Sequence, residues 1–248
     1  MQAVVGYHRP VSLEEALALL NRGRPRSVLL GGGTAINAAQ SQEPVEMIDL
    51  QEIGLDEIDG DGPVVEIGAM VRLSVLATDD AVPGLLRELG RREGPNTLRN
   101  AATVGGTIAT GSPESELLAG FLVYQGQVTL AGVGGATQTV GLDELLGDRS
   151  LLAGSIITEL QLDTGGLAVA ERTGRTPSDV SIVAAVARKT TAGIALALTG
   201  VAPTPILVGP AGVADLEPPG DFRGSSKYRR HLADTLAQRV RERLGEQP

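Results

Sequence analysis

The stretch Thr103-Val104-Gly105-Gly106-Thr107-Ile108-Ala109-Thr110-Gly111-Ser112-Pro113 is dominated by glycine and small hydroxyls, so it cannot serve as an ordinary core segment. Adjacent glycines let a chain take positive φ and bring amide N–H groups close to a ligand. Thr103, Thr107 and Ser112 can add side-chain hydrogen bonds. The stretch reads as a loop built to hold an anion. An earlier one, Leu29-Leu30-Gly31-Gly32-Gly33-Thr34-Ala35, has the same character. Two such loops in one chain point to a ligand with two phosphates.

That ligand must be held locally. A formal charge of −9 and a pI near 4.8 make the chain a poor partner for nucleic acid or anionic lipid, whose binding depends on Lys and Arg. With no cysteine, the chain cannot ligate an iron–sulfur cluster or a thiolate-held zinc; another polypeptide would have to carry such a cluster. The 248 residues, 42% of them hydrophobic, suffice for one large domain or two ordinary ones. No cleavable leader and no apolar run of about 18 residues is visible, so we expect a soluble, cytoplasmic protein with no membrane insertion. Aromatics are scarce, with no Trp, three Tyr and two Phe. A flat ring bound here would therefore lie mostly against aliphatic side chains and backbone.

Along the chain, Ser12 and Glu15 form a capping box ahead of Leu13, Ala16, Leu17 and Leu20 at helical spacing, predicting a helix that stops near Gly23. His8 falls in a polar entry to it. Residues 27–30 read as a buried strand feeding into the three glycines, 35–40 as a helix and 46–50 as a second strand. Residues 51–63 are acidic and read as a turn, since the ligand spacing of a calcium loop is missing. A strand is predicted at 64–67, short helices at 75–77 and 81–89, and a further helix over 114–124. Strands follow at 127–131, 137–140 and 155–162. Past a Gly-rich connection at Asp163-Thr164-Gly165-Gly166, a meander is expected at 167–172, 181–188 and 193–200, ended by Pro203 and Pro205. A last helix over 226–244 repeats Leu232, Leu236, Val240 and Leu244 every four residues, with its arginines facing out.

Neither glycine cluster contains Lys or Arg, so backbone amides at a nest or helix N-terminus would grip the phosphates. Neither is a P-loop or a Rossmann Gly-x-Gly-x-x-Gly, and either alone is ordinarily a turn. His8 and His231, the only histidines, have no metal partner set. Ser112 lies outside any nucleophile elbow, and Glu114 and Glu116 stand where carboxylates ordinarily serve the helix dipole. No residue is assigned as a catalytic acid, base or metal ligand.

The two clusters, in this order and separation, resemble the FAD-binding medium subunit of molybdenum hydroxylases, the family of xanthine dehydrogenase and carbon monoxide dehydrogenase. The likeness also takes in Ile67-Gly68-Ala69-Met70-Val71-Arg72-Leu73, the approach Leu98-Arg99-Asn100-Ala101-Ala102, and Leu198-Thr199-Gly200-Val201-Ala202-Pro203-Thr204-Pro205 with Ser226-Lys227-Tyr228-Arg229-Arg230-His231-Leu232 near the C-terminus. It implies an α+β fold: a PCMH-type FAD-binding domain over 1–164, with subdomains about 1–55 and 56–164, and a smaller antiparallel sheet-and-helix domain over 165–248. It implies that FAD is cradled by Leu30, Gly31, Gly32, Gly33, Thr34, Ala35, Ile36 and Asn37 together with Thr103, Val104, Gly105, Gly106 and Thr107, with Ser112 nearby. Glu116 matches an acidic cofactor contact, Ile157 a residue at the adenosine end, and Val180 one lying against the isoalloxazine ring.

The function so implied is electron transfer through FAD. Iron–sulfur clusters on a small partner subunit would supply electrons drawn from a molybdenum-cofactor large subunit, and NAD, oxygen or a quinone-like acceptor would remove them. The chain departs from the family pattern at Thr107, where Asn is favoured, at Glu116 for Asp, at Glu171 where some relatives have Lys, at Val180 for Tyr, and in a shortened stretch between Pro205 and Pro219. Those departures keep two other readings in view: a non-catalytic assembly subunit that retains the fold, and a stand-alone flavin oxidoreductase.

Overall fold

The computed structural model describes residues 4–35, 44–60, 62–174, 176, 179–209 and 212–245. It is an α+β fold of three sheets. The first is parallel and three-stranded, ordered β1-β3-β2, from β1 (Val4–His8), β2 (Arg26–Leu30) and β3 (Val45–Asp49). Helix α1 (Leu13–Leu20) is capped as its sequence predicts, the Ser12 side chain accepting from the Glu15 amide. It buries Ala16, Leu17 and Leu19 against Ile48 and Leu50. His8 is the last residue of a strand instead of a helix entry, and its Nε2 lies 3.3 Å from Glu46. Of the helix predicted at 35–40, Ala35 lies in a turn and residues 36–40 are outside those described.

The second sheet is antiparallel, ordered β4-β5-β8-β6-β7, from β4 (Ile58–Asp59), β5 (Val64–Gly68), β6 (Gln127–Ala131), β7 (Thr137–Gly141) and β8 (Ile156–Asp163). The chain between β5 and β6 supplies α2 (Leu73–Leu76), α3 (Gly84–Arg92), α4 (Asn96–Arg99), α5 (Val104–Thr110) and α6 (Glu116–Val123). The second and third of the sequence helices thus start elsewhere than expected, at 73 and 84 instead of 75 and 81. Helix α7 (Leu142–Gly147), which the sequence reading passed over, closes this unit with Leu142, Leu145 and Leu146 inside.

The third sheet, ordered β12-β11-β10-β9, is antiparallel: β9 (Leu167–Thr173), β10 (Val183–Thr190), β11 (Gly193–Thr199) and β12 (Ile206–Leu207). Pro203 and Pro205 therefore do not end it. They turn the chain, and a two-residue edge strand follows, pairing Ile206 with Leu198.

Helix α6 is buried along its whole length, as an all-round apolar helix must be. It lies in one core cluster with Val65, Leu160 and Val128 of the second sheet and Val186 and Ala197 of the third. The opposite face of β10 packs on α8 (Ser226–Arg243), where Val183, Ala185 and Ala187 meet Ala233, Leu236 and Val240. Covering on both faces explains why β10 reads as a continuous apolar run. The arginines of α8 do not all face out. Arg229 is buried and donates to the carbonyls of Ile182 and Gly200 at 2.9 and 2.8 Å and to Asp221 at 2.7 Å. No helix among the described residues is long and apolar enough to cross a membrane.

Candidate functional site

Strand β2 delivers the first glycine cluster to the end of the parallel sheet. The Leu30 carbonyl accepts from the Leu50 amide at 3.0 Å, and there the chain leaves the sheet. A Cβ on Gly32 would stand 1.7 Å from the Ala101 carbonyl oxygen, so only glycine lets the two segments pass each other. Gly33 takes φ 72°, in the left-handed region where a side chain is strained. A Cβ on Gly31 would meet Thr103 Oγ1 at 2.8 Å. The two glycine clusters, distant in sequence, are therefore in direct contact.

The second cluster is not a loop. Thr103, extended at φ −116° and ψ 159°, caps helix α5, and its side chain accepts from the Gly106 amide at 3.1 Å. Glycines that look permissive in sequence serve close packing here. Gly105 sits against Ala69, where a Cβ would come within 2.8 Å of the Ala69 Cβ.

The anion nest expected at this helix start is overturned by the donors' whereabouts. The Val104 amide donates to Val71 at 2.9 Å, Gly105 to Ala69 at 2.8 Å and Thr107 to Thr103 at 2.9 Å. The Thr107 hydroxyl donates to the Thr103 carbonyl at 3.0 Å. The donors of the first turn are committed within the protein. The amides of Gly32, Gly33 and Thr34, by contrast, donate to no acceptor among the described residues. Uncommitted backbone amides thus come from the first cluster.

Three cavities meet at this junction, and all three are lined by Gly31 and Thr103. One, with about 550 Å³ of free space, is walled by Leu29, Leu50, Met70, Ile156 and Ile157 and is almost wholly apolar. A second, with about 1000 Å³, is polar, with Arg9, Arg72, Gln51 and Asn100 on its walls. The third, with about 900 Å³, runs from Gly31, Gly32, Gly33, Thr34 and Ala35 onto Thr103, Gly106, Ala109 and Thr110. The last four recur at helical spacing, so this cavity follows one face of α5. A Cβ on Gly106 would touch nothing but Thr103 Oγ1, at 3.0 Å. It is a glycine that leaves a groove open. The whole can take a long ligand with an apolar end, an anionic middle and an arm along α5.

The structure does not gather every expected site residue here. Ile157 lines the apolar cavity. Leu30 lines none of the three, and Val104 points into the core. Thr107 and Ser112 line none of them either, the Ser112 carbonyl accepting from the Ser115 amide at 3.1 Å. Ile36 and Asn37 lie outside the described residues. Glu116 is buried with both carboxylate oxygens engaged, by Arg172 at 2.8 Å and Arg92 at 3.4 Å. Its neighbour Glu93 accepts from the Ser115 hydroxyl at 2.8 Å and the Leu117 amide at 2.9 Å. Burial pushes the Glu93 carboxyl above its ordinary value, an effect those two hydrogen bonds partly oppose. Val180 lines a separate cavity with Asp179, Ile182, Phe222 and Arg223.

Sequence reasoning missed the aliphatic wall of Leu29, Leu50, Met70 and Ile156, because scattered apolar residues carry no local signal. It also missed Arg72, which makes no ion pair among the described residues and faces the polar cavity beside Gly32. Its sign was an arginine within an otherwise apolar strand-and-turn segment.

Residues 3–162 match the family model described as the FAD binding domain in molybdopterin dehydrogenase. The chain is 29% identical over 249 residues to the uncharacterized protein YgfM of Escherichia coli K12, covering 93% of this chain and 92% of that one. It is 29% identical over 274 residues to the carbon monoxide dehydrogenase medium chain of Afipia carboxidovorans, covering 96% and 95%. Among solved structures, reconstituted CO dehydrogenase from Oligotropha carboxidovorans superposes with a TM-score of 0.87 at 24% identity, covering 98% of each chain. Quinoline 2-oxidoreductase from Pseudomonas putida 86 gives 0.86 at 22%, covering 96% and 95%. At those identities the superpositions speak for the fold.

Proposed function

The chain belongs to the FAD-binding domain family of molybdopterin dehydrogenases, and on that premise we propose that it is the flavoprotein subunit through which such a dehydrogenase passes electrons to an external acceptor. The observation that carries this reading is the convergence of three cavities on Gly31 and Thr103, beside amides that no described protein acceptor uses. The residues present fit FAD. Amides of Gly32, Gly33 and Thr34 would hold the diphosphate, and the bare Cα of Gly106 keeps open the groove that a Cβ would narrow. Leu29, Leu50, Met70, Ile156 and Ile157 offer the adenine an apolar wall. Val180, exposed in its own cavity, would lie at the ring end.

When bound, FAD supplies the redox chemistry, and the protein supplies position and surroundings. Residues 1–164 would form the FAD-binding domain and 165–248 the smaller unit beside it. Arg172 on β9 clasps Glu116 on α6 and so fixes the two against each other. A chain without cysteine needs iron–sulfur clusters from a partner, so the working unit would be a complex with a cluster-bearing small subunit and a molybdenum-bearing large one. NAD, oxygen or a quinone-like molecule would take the electrons.

The test is to purify the tagged chain under mild conditions, measure molybdenum and iron in what accompanies it, and follow the flavin bands anaerobically on adding substrates of molybdenum hydroxylases. Bleaching only in the presence of molybdenum- and iron-bearing partners is expected. Turnover by the isolated chain would instead make it a stand-alone oxidoreductase.

A further inference from the structure

Phe222 is 97% exposed, the most exposed large apolar side chain described, in a protein with only two Phe. Its surroundings are nevertheless firmly built. It is at the apex of a tight turn in which Asp221 and Gly224 bridge each other, the Asp221 amide donating to the Gly224 carbonyl at 3.0 Å. The Asp221 carboxylate accepts from the Arg223 amide at 2.9 Å and from buried Arg229 at 2.7 Å. Arg223 donates to the carbonyls of Val180 and Ser181 at 2.7 and 2.8 Å and pairs with Glu114. The aromatic face is thus held out on a rigid mount. Beside it Val180, 59% exposed, lines the same cavity of about 920 Å³.

The position of this mount gives it an occupant. The groove lined by Thr103, Gly106, Ala109 and Thr110 follows α5, which is about 10 Å long at about 1.5 Å per residue. Just past the end of α5 the chain reaches Glu114, to which Arg223 is tied, and the Pro113 carbonyl accepts from the Gly200 amide at 2.7 Å. A diphosphate held by the amides of Gly32, Gly33 and Thr34, beside the start of α5, would send its sugar-alcohol arm and ring along that groove toward the Phe222 turn. Tyr124 and Phe121 are buried and cannot meet such a ring, and Tyr7 stands on β1, in the first sheet, while the Phe222 turn is tied to the chain just before β10. Resting on the FAD-binding reading above, we propose that Phe222, with Val180, is the wall against which the isoalloxazine ring stacks. A flat conjugated ring recovers the area that an exposed phenyl leaves in water, and offset aromatic contact adds to that.

The full chain, alone and with any partners that co-purify, is titrated with FAD as wild type, Phe222→Ala and Phe222→Trp. The chain has no Trp, so F222W introduces its single indole, an efficient quencher of flavin emission at contact. F222A should bind FAD about three- to tenfold more weakly with an unchanged melting temperature, and F222W should bind normally with bound-flavin emission severalfold lower than wild type. Unchanged affinity in F222A together with unquenched emission in F222W overturns the proposal while leaving FAD binding intact. Loss of a co-purifying subunit in F222A, with FAD affinity unchanged, also overturns it and assigns the turn to protein docking. Failure of wild type itself to take up FAD defeats both the proposal and the reading beneath it.

Discussion

Single residues separate packing from binding at the junction of the two glycine clusters. Gly32→Ala places a methyl 1.7 Å from a backbone oxygen that has nowhere to go, and should cost at least about 2 kcal/mol by urea unfolding. Gly106→Ala meets only a hydroxyl at 3.0 Å inside a helix that favours Ala, so stability should change by less than about 1 kcal/mol while FAD affinity falls. Equal effects on stability would refute the division of roles. Glu93 gives a pH prediction. Burial raises its folded-state carboxyl pKa, so between the ordinary carboxyl value of 4.5 and that raised value the folded state holds the extra proton, and stability drops as pH rises. Glu93→Gln removes the titration and keeps an acceptor for Ser115 and Leu117. Its stability relative to wild type should therefore increase as pH is raised above 4.5, measured as the difference between two urea series; a flat difference would contradict the assignment.

At the level of elements, what could be read in the sequence was whatever a short window decides. The Ser12–Glu15 cap, the alternating strands and the all-apolar α6 follow from local pattern, and their bounds fall within a few residues of those expected. Helix α5 was misread because Gly105 and Gly106 satisfy a tertiary demand, contact with Ala69 and an open groove, that no window contains. The burial of Arg229 was invisible for the same reason: its partners Ile182, Gly200 and Asp221 come from three separate segments. The candidate site was legible as two glycine clusters, but backbone donors were expected from both, and the amides at the start of α5 are committed to Val71, Ala69 and Thr103. Across elements, the Glu116–Arg172 pair ties α6 to β9. Arg172→Met should cost about 3 kcal/mol, the lower end for breaking a buried pair, because Arg92 still faces the carboxylate. A loss below about 1 kcal/mol would mean that packing alone joins them.

Over the whole molecule, the second and third sheets share α6, and the first and second sheets meet α5 at a junction of cavities suited to a long, partly apolar diphosphate. A chain of net charge −9 would hold such an anion through the amides of Gly32, Gly33 and Thr34 and local geometry, not through its overall field. Bound FAD is therefore the decisive property of this chain, and a visible spectrum of the purified protein reveals it directly. A yellow solution with flavin bands that bleach on adding dithionite is the expected result; a colourless protein that takes up no added FAD, even with its partner chains present, would contradict it.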